Sequence, residues 1–310
     1  MKKIVMTFIF AAIFTGGTSL AFSMTISPMD TADGLAQYFL GTGIAISNIS
    51  YTGASAASGY FTGGTDAGIG METGIVLTSG HASNLNATSN TGYVFNPTSG
   101  TGGVSGVNNL DGDPALGPLT LDAAAFEFDF VSAGDAVYFN YVFGSEEYNE
   151  YVESGFDAFG FFVKNVNYAQ IPGTTTPVSI RTVNNTVHAE YYNDNGPGPY
   201  AFEYDGFTDV FTANITGLTP GQTYHIRLAV ADAMDYQLDS GVFLEAGTFS
   251  ANVIPPDPAV PEPGTIFLLG IGLISLAGVI RRFRNAPNHS AEKQVCQSPV
   301  PGRMFTNKTF

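Results

Sequence analysis

Cysteine and tryptophan are almost missing from this 310-residue chain, which carries one Cys and no Trp. The single thiol, Cys296, lies close to the C-terminus. The long segment before it therefore holds no disulfide, no thiolate metal site and no cysteine nucleophile. Basic charge is also scarce. From Met24 to Val260 only Lys164, Arg181 and Arg227 are basic, against 25 acidic residues, a net of −22 with histidine neutral. Nucleic acid and anionic lipid are poor partners for such a surface, since either needs a Lys/Arg patch that three scattered residues cannot make. Stability has to come from packing, hydrogen bonds or bound metal, and the excess of carboxylates favours cations.

Long apolar runs occur only at the two ends. Lys2 and Lys3, the run IVMTFIFAAIF and the small residues of TSLAFS follow the order of a secretory signal peptide, predicted over residues 1–23 with cleavage after Ala21 or Ser23. Near the other end, TIFLLGIGLISLAGVI fills Thr265 to Ile280, after the proline-rich stretch VIPPDPAVPEPG and before Arg281, Arg282 and Arg284. These 16 residues make a helix of roughly 24 Å, short of the ~30 Å hydrocarbon core, and the arginines can snorkel to cover the deficit. The positive-inside rule keeps the arginines in the cytoplasm. The expected layout is an extracellular domain over residues 24–252, a stiff linker over 253–264, a membrane helix over 265–280 and a basic cytoplasmic tail over 281–310.

Within the exported part, period-two alternation recurs. AAAFEFDF places Phe126, Phe128 and Phe130 on one face and Glu127 and Asp129 on the other, as a half-buried strand requires. AVYFNYVF aligns Val137, Phe139 and Tyr141. TYHIRLAV turns Tyr224, Ile226, Leu228 and Val230 inward and His225 and Arg227 outward. FGFFV, TDVFTANI, VFLEAGTF and GIVLTSG are further strands, separated by turn-forming stretches such as SAGD, LTPGQ and NDNGPGP. One helix is expected over Thr31 to Gly41, and residues 79 to 118, rich in Gly, Ser, Thr and Asn, read as loops. Many short strands with few helices predict an all-β fold, an antiparallel, jelly-roll-like β-sandwich.

Two resemblances add to this. Pro261, Glu262 and Pro263, followed by the apolar span and by Arg281 and Arg282, resemble the PEP-CTERM sorting signal. That resemblance implies an exosortase-type processing enzyme as partner and a Gram-negative cell that makes exopolysaccharide. Such signals usually end soon after the arginines, whereas here residues 285–310 follow. The strings FGSEEYNEYV, DAFGFFV, TYHIRLAVADA and LDSGVFLEAGTF, spread over roughly Gly74 to Ser250, resemble the choice-of-anchor L domain. The implication is an extracellular β-rich module of unsettled biochemical activity.

The acidic residues form three groups: Glu146, Glu147, Glu150 and Glu153; Asp232, Asp235 and Asp239; and Asp111 with Asp113. Carboxylates brought together repel or raise one another's pKa unless protons or metal neutralise them. Ca²⁺ suits them, because it takes six to eight oxygens from loops and is abundant outside cells. His81, His188 and His225 stand apart from one another in the sequence, so no nitrogen cluster competes. The expectation is that Glu146 and Glu147 at one strand end meet Asp232, Asp235 and Asp239 at another and bind Ca²⁺, though turn capping explains the aspartates equally well. Glu150 and Glu153 read more simply as a solvated face. The spacing is not that of an EF-hand.

Two other functions compete with this one. Tyr191, Tyr192, Asn193 and Asp194 beside the loop NDNGPGPYAFEYDG, with Tyr200 and Tyr204, offer rings for sugar stacking and polar groups for hydroxyls. A glycosidase needs two carboxylates about 5 to 9.5 Å apart, and the neighbours Glu146 and Glu147 point to opposite faces of an extended strand. No GxSxG elbow is present. The sequence thus predicts a non-enzymatic module with a structural or adhesive role, exported through the inner membrane, tethered by its C-terminal helix, and in contact with exopolysaccharide or a matrix protein. A carbohydrate-binding module and, behind it, a polysaccharide hydrolase are the alternatives.

Overall fold

The computed structural model describes residues 24–41, 43–86, 120–153, 157–196, 200–233 and 238–255. The signal peptide, Asp111, Asp113, Asp235, the PEP motif, the predicted membrane helix and the arginines after it lie outside these residues. Among the described residues no helix is long and apolar enough to cross a membrane.

The chain begins with β1 (Thr25–Pro28), α1 (Ala32–Phe39), β2 (Ile46–Thr52), β3 (Ser58–Thr62), the single turn α2 (Gly64–Ala67) and β4 (Thr73–Thr78). There follow β5 (Thr120–Val131), β6 (Ala136–Ser145), β7 (Ala158–Val163) and β8 (Val166–Asn167). The last five strands are β9 (Tyr192–Asp194), β10 (Gly206–Thr208), β11 (Phe211–Thr216), β12 (Thr223–Ala233) and β13 (Ser240–Glu245). All the pairings between these strands are antiparallel. They make an eight-stranded sheet in the order β1-β3-β4-β13-β6-β10-β9, with β11 also on β6, and a five-stranded sheet in the order β2-β5-β12-β7-β8. The predicted all-β, antiparallel sandwich is what the chain forms. The strands expected from alternation are found as β4, β5, β6, β7, β11, β12 and β13, but TDVFTANI is split, with Thr208 ending β10 and β11 starting at Phe211, and VFLEAGTF leaves its strand after Glu245; the expected helix is α1.

The alternation explains the layering. Phe126, Phe128 and Phe130 of β5, Phe159 and Phe161 of β7, and Ile226, Leu228 and Val230 of β12 face Phe139, Tyr141 and Phe143 of β6 across a common core. Phe39 of α1 closes this core edge-on against Phe128 and Phe139. Phe143 stacks on Phe159 with centroids 4.4 Å apart. Aromatic pairs of this kind add about 0.5–1.5 kcal/mol each beyond the area they bury.

The eight-stranded sheet is covered on its other face as well. Val76, Val142 and Phe243, which alternate with the core residues of their strands, pack with Phe61, Phe202, Tyr204 and Phe207 in a second cluster. Gly144 and Gly241 are opposite each other in the β6–β13 register. A Cβ at either would meet Tyr204, at 2.5 Å from its ring and 2.4 Å from its hydroxyl. The paired glycines open a slot for the Tyr204 ring, which explains glycine both in Gly144-Ser145 before Glu146 and in Ser240-Gly241 after Asp239. The Tyr204 hydroxyl bonds Thr78 Oγ1 at 2.9 Å.

Candidate functional site

One end of the sandwich gathers the ends of β4, β6 and β12 with the starts of β5, β7 and β13, because Ser145 pairs with Ser240, Thr120 with Ala233, and Ala158 with Ala231. The chain brings its acidic residues to this pole. Asp232 continues the inward face of Ile226, Leu228 and Val230, and Asp157 precedes Phe159 and Phe161 by the same period of two. Each is a carboxylate placed where alternation demands an apolar side chain.

Asp122 arrives by a different route. Leu121 pairs with Asp232 and Ala124 with Val230, so Asp122 and Ala123 together face Ala231 in a β-bulge. The φ of Asp122 is +49°, a left-handed conformation that a non-glycine residue adopts at a cost.

The geometry holds the group together from the backbone outward. The Glu146 amide donates to the Asp239 carbonyl at 3.1 Å, tying the end of β6 to the start of β13. The Asp157 amide donates to Glu147 Oε2 at 3.0 Å, and the Ala233 amide to Asp157 Oδ1 at 3.3 Å. The Glu147 amide donates to the Ser145 hydroxyl. Gly80 gives Asp239 its room, since a Cβ there would stand 1.7 Å from Asp239 Oδ2.

Burial at this pole is severe. Asp232 is 0% exposed, Asp157 2% and Asp239 6%. Neither oxygen of Asp232, nor Asp157 Oδ2, nor Asp239 Oδ1 accepts a well-formed hydrogen bond. The Ser79 hydroxyl acts to lower the Asp232 pKa, and the Ser240 hydroxyl that of Asp157, against the effect of burial.

Electrostatics follow from this crowding. Burial, then Glu147 and Asp232, drive the Asp157 carboxyl well above the usual carboxylate range. Burial, then Asp239, Asp122 and Glu147, do the same to Asp232. Asp239 is pushed up to about 7 by burial and by Asp122. Part of Glu146 meets solvent, yet its carboxyl is packed among protein atoms. Burial, then Asp205, Glu203 and Asp239, push it up to about 9.

The three basic residues of the exported domain are engaged with other groups. Arg227 pairs with Glu127 at 2.9 Å, Lys164 bonds the Gly217 carbonyl and sits over the Tyr224 ring, and Arg181 bonds the Glu153 carbonyl.

The structure places Glu146, Glu147, Asp232 and Asp239 at one pole; Asp235, the fifth ligand expected, lies outside the described residues. Glu147 accepts the Asp157 amide and acts on Asp157 and Asp232, while Glu146 feels Asp205 and Glu203 first and Asp239 after them. Glu150 and Glu153 are exposed. Asp122, Asp157, Glu203 and Asp205 were not foreseen. For Asp157 the signal was available in the alternation with Phe159 and Phe161, whereas the bulge that delivers Asp122 has none. As the side chains stand, no three Asp, Glu, His or Cys groups among the described residues are drawn together as metal ligands are.

In the tyrosine group Tyr191 and Tyr192 are half-buried and Asp194 is exposed. Tyr191 packs edge-on against Phe211, and Tyr192 lies against Tyr148 with its hydroxyl bonded by Asn149. Asn193 Nδ2 bonds Asp209, and Asp194 Oδ1 takes the Gly196 amide.

Comparison with known families gives two matches. A model described as the choice-of-anchor L domain matches residues 25–250, and one described as the PEP-CTERM protein-sorting motif matches residues 259–282. Comparisons with curated proteins and with solved structures give no match.

Proposed function

The chain belongs to the choice-of-anchor L family, and from that premise we propose that its sandwich is a non-catalytic structural or adhesive module whose acidic pole is neutralised by Ca²⁺. The sorting motif marks the protein for export, membrane anchoring and exosortase processing at the envelope of a Gram-negative bacterium. The observation that carries the calcium reading is the burial of carboxylate oxygens without a well-formed hydrogen bond, both of Asp232, Oδ2 of Asp157 and Oδ1 of Asp239, while the three basic residues of the domain are engaged with other groups. An ionised carboxylate taken out of water costs several kcal/mol unless a partner compensates it.

Ca²⁺ fits the donor set, which is all oxygen, and outside cells it reaches the about 10⁻⁴–10⁻³ M at which modular sites bind it. With the pole neutralised, the loops around it present a fixed surface to exopolysaccharide or to a matrix protein. A hydrolytic role is disfavoured by the same burial, because a glycosidase must bring both carboxylates to its substrate and the inner ones here are at most 6% exposed.

The test is retention. Washed matrix from an exopolysaccharide-producing Gram-negative cell is incubated with the protein in Ca²⁺ and then in EDTA. The reading predicts binding that the chelator releases, with no new reducing ends. Release of sugar fragments would replace this reading with a hydrolase, and indifference to EDTA would detach adhesion from the acidic pole.

A further inference from the structure

The calcium reading names an ion but not its seat, and the structure revises the strand-end set expected from the sequence: it keeps Glu147, Asp232 and Asp239, leaves out Glu146 and adds Asp122 and Asp157. We propose that a calcium ion is held between the two sheets by Asp122, Asp157 and Asp232 from the five-stranded side and Glu147 and Asp239 from the eight-stranded side, as a staple where the chain has no disulfide. The inference rests on the calcium reading above and specifies where the ion sits and what it joins.

Two observations carry it beyond an acidic cluster. The first is a set of buried oxygens without well-formed partners: both of Asp232, Oδ2 of Asp157 and Oδ1 of Asp239. These side chains are at least nine-tenths buried and interact electrostatically across the gap between the sheets. The second is the backbone at Asp122. A bulge and a φ of +49° put a carboxylate beside Asp232 and Asp239, where the ladder would otherwise run on.

The chemistry selects the ion. With oxygen donors alone, zinc and copper lose the nitrogen and sulfur ligands they prefer. The carboxylates come from five separate backbone segments, an adaptable arrangement that suits the variable coordination of Ca²⁺ better than the rigid octahedron of Mg²⁺. No three of these groups stand at ligand spacing without the ion, so binding requires the carboxylates to move inward. The ion thereby links β12 to β13, neighbours in sequence that belong to opposite sheets. Glu146, on which Asp205 and Glu203 act ahead of Asp239, is placed outside the seat.

Terbium is the probe, because it replaces Ca²⁺ and is sensitised by tyrosine, and the chain has no Trp to interfere. Tyr204, fully buried and in electrostatic reach of Asp239 and Asp157, is the antenna. The full chain in detergent is titrated with Tb³⁺ and then with competing Ca²⁺, alongside Asp157→Asn, Asp122→Asn and the exposed control Glu150→Gln. The seat predicts a loss of at least ~10-fold in affinity for the first two, the lower end of what loss of even a supporting group costs a metal site, and none for the control.

Asparagine is nearly the same size as aspartate and removes a charge, so the two variants are also expected to melt higher than wild type in EDTA. Hydrogen exchange on wild type adds a readout free of mutation, with Ca²⁺ slowing exchange at the end of β12 and at the start of β13 together. Saturable binding that neither variant weakens, or protection confined to one sheet, would overturn the seat and leave the calcium reading intact. Wild type without saturable binding would overturn both.

Discussion

Carboxylates meet opposite treatment at the pole and on the outer face of the five-stranded sheet. On that face His225 lies between Asp129 and Glu127 at 2.9 and 3.0 Å, Arg227 bonds Glu127, and Asn48 donates to Asp129 at 2.7 Å. Every acid there has a partner although water is close, and pairing in water is worth ~0.2–1 kcal/mol. At the pole, where burial makes an unpaired charge expensive, Asp232 and Asp157 have no basic partner among the described residues. A buried acid elsewhere shows that the fold is able to do better, since Glu245 takes the Asn140 amide at 2.7 Å. The contrast teaches that the pole relies on something other than the chain itself for its countercharge, either protons or a cation.

The comparison is sharpened most by pH. Asp239 and Glu146 have folded-state values above their unfolded ones, so the stability they confer is complete below the ordinary carboxylate range and is lost as pH rises through about 7 and then about 9. At 1.36 kcal/mol per pH unit, the climb at Asp239 alone amounts to roughly 4 kcal/mol. In EDTA the unfolding midpoint is therefore expected to fall steeply between about pH 5 and pH 9, and in saturating Ca²⁺ to stay nearly level. A flat profile in EDTA would erase the difference between the two regions.

The outer face responds less. Arg227→Gln removes the cation bonded to Glu127 and should cost about 1–3 kcal/mol, the range for a charged hydrogen bond, with the calcium increment unchanged in denaturant titrations. His225→Gln is expected to cost less than ~1 kcal/mol. Burial works to lower the His225 pKa, but its bonds to Asp129 and Glu127 outweigh this and raise it. Its contribution is therefore present below about 6.5 and disappears as pH rises through the raised value. Calcium should leave that small loss untouched, which separates it from the loss at the pole.

The two regions were not equally readable from the amino-acid order. Alternation of Phe with Glu and Asp in β5, and of Ile and Leu with His and Arg in β12, announced both the strands and the paired outer face, because that face is regular sheet. β2, with the sequence ISNISYT, and the short β8, β9 and β10 carry too few apolar residues to announce themselves, and their neighbours in the sheets define them. At the pole, Glu146 and Glu147 were recognisable as a strand end meeting Asp232 and Asp239. Their division between two groups of neighbours was foreshadowed by the opposite faces of adjacent residues. Asp122 was out of reach, since a bulge depends on the register of two strands far apart in the chain.

The countercharge of the pole is the central claim, and the unfolding midpoint of the full chain tests it most directly, measured in EDTA at neutral pH and across a Ca²⁺ titration with Mg²⁺ as the screening control. A ligand that binds only the folded state stabilises by RT ln(1 + [L]/Kd), about 2.7 kcal/mol at a hundred times Kd. The account predicts a saturable rise of that order that Mg²⁺ does not reproduce; a midpoint that ignores calcium, or follows both ions alike, would contradict it.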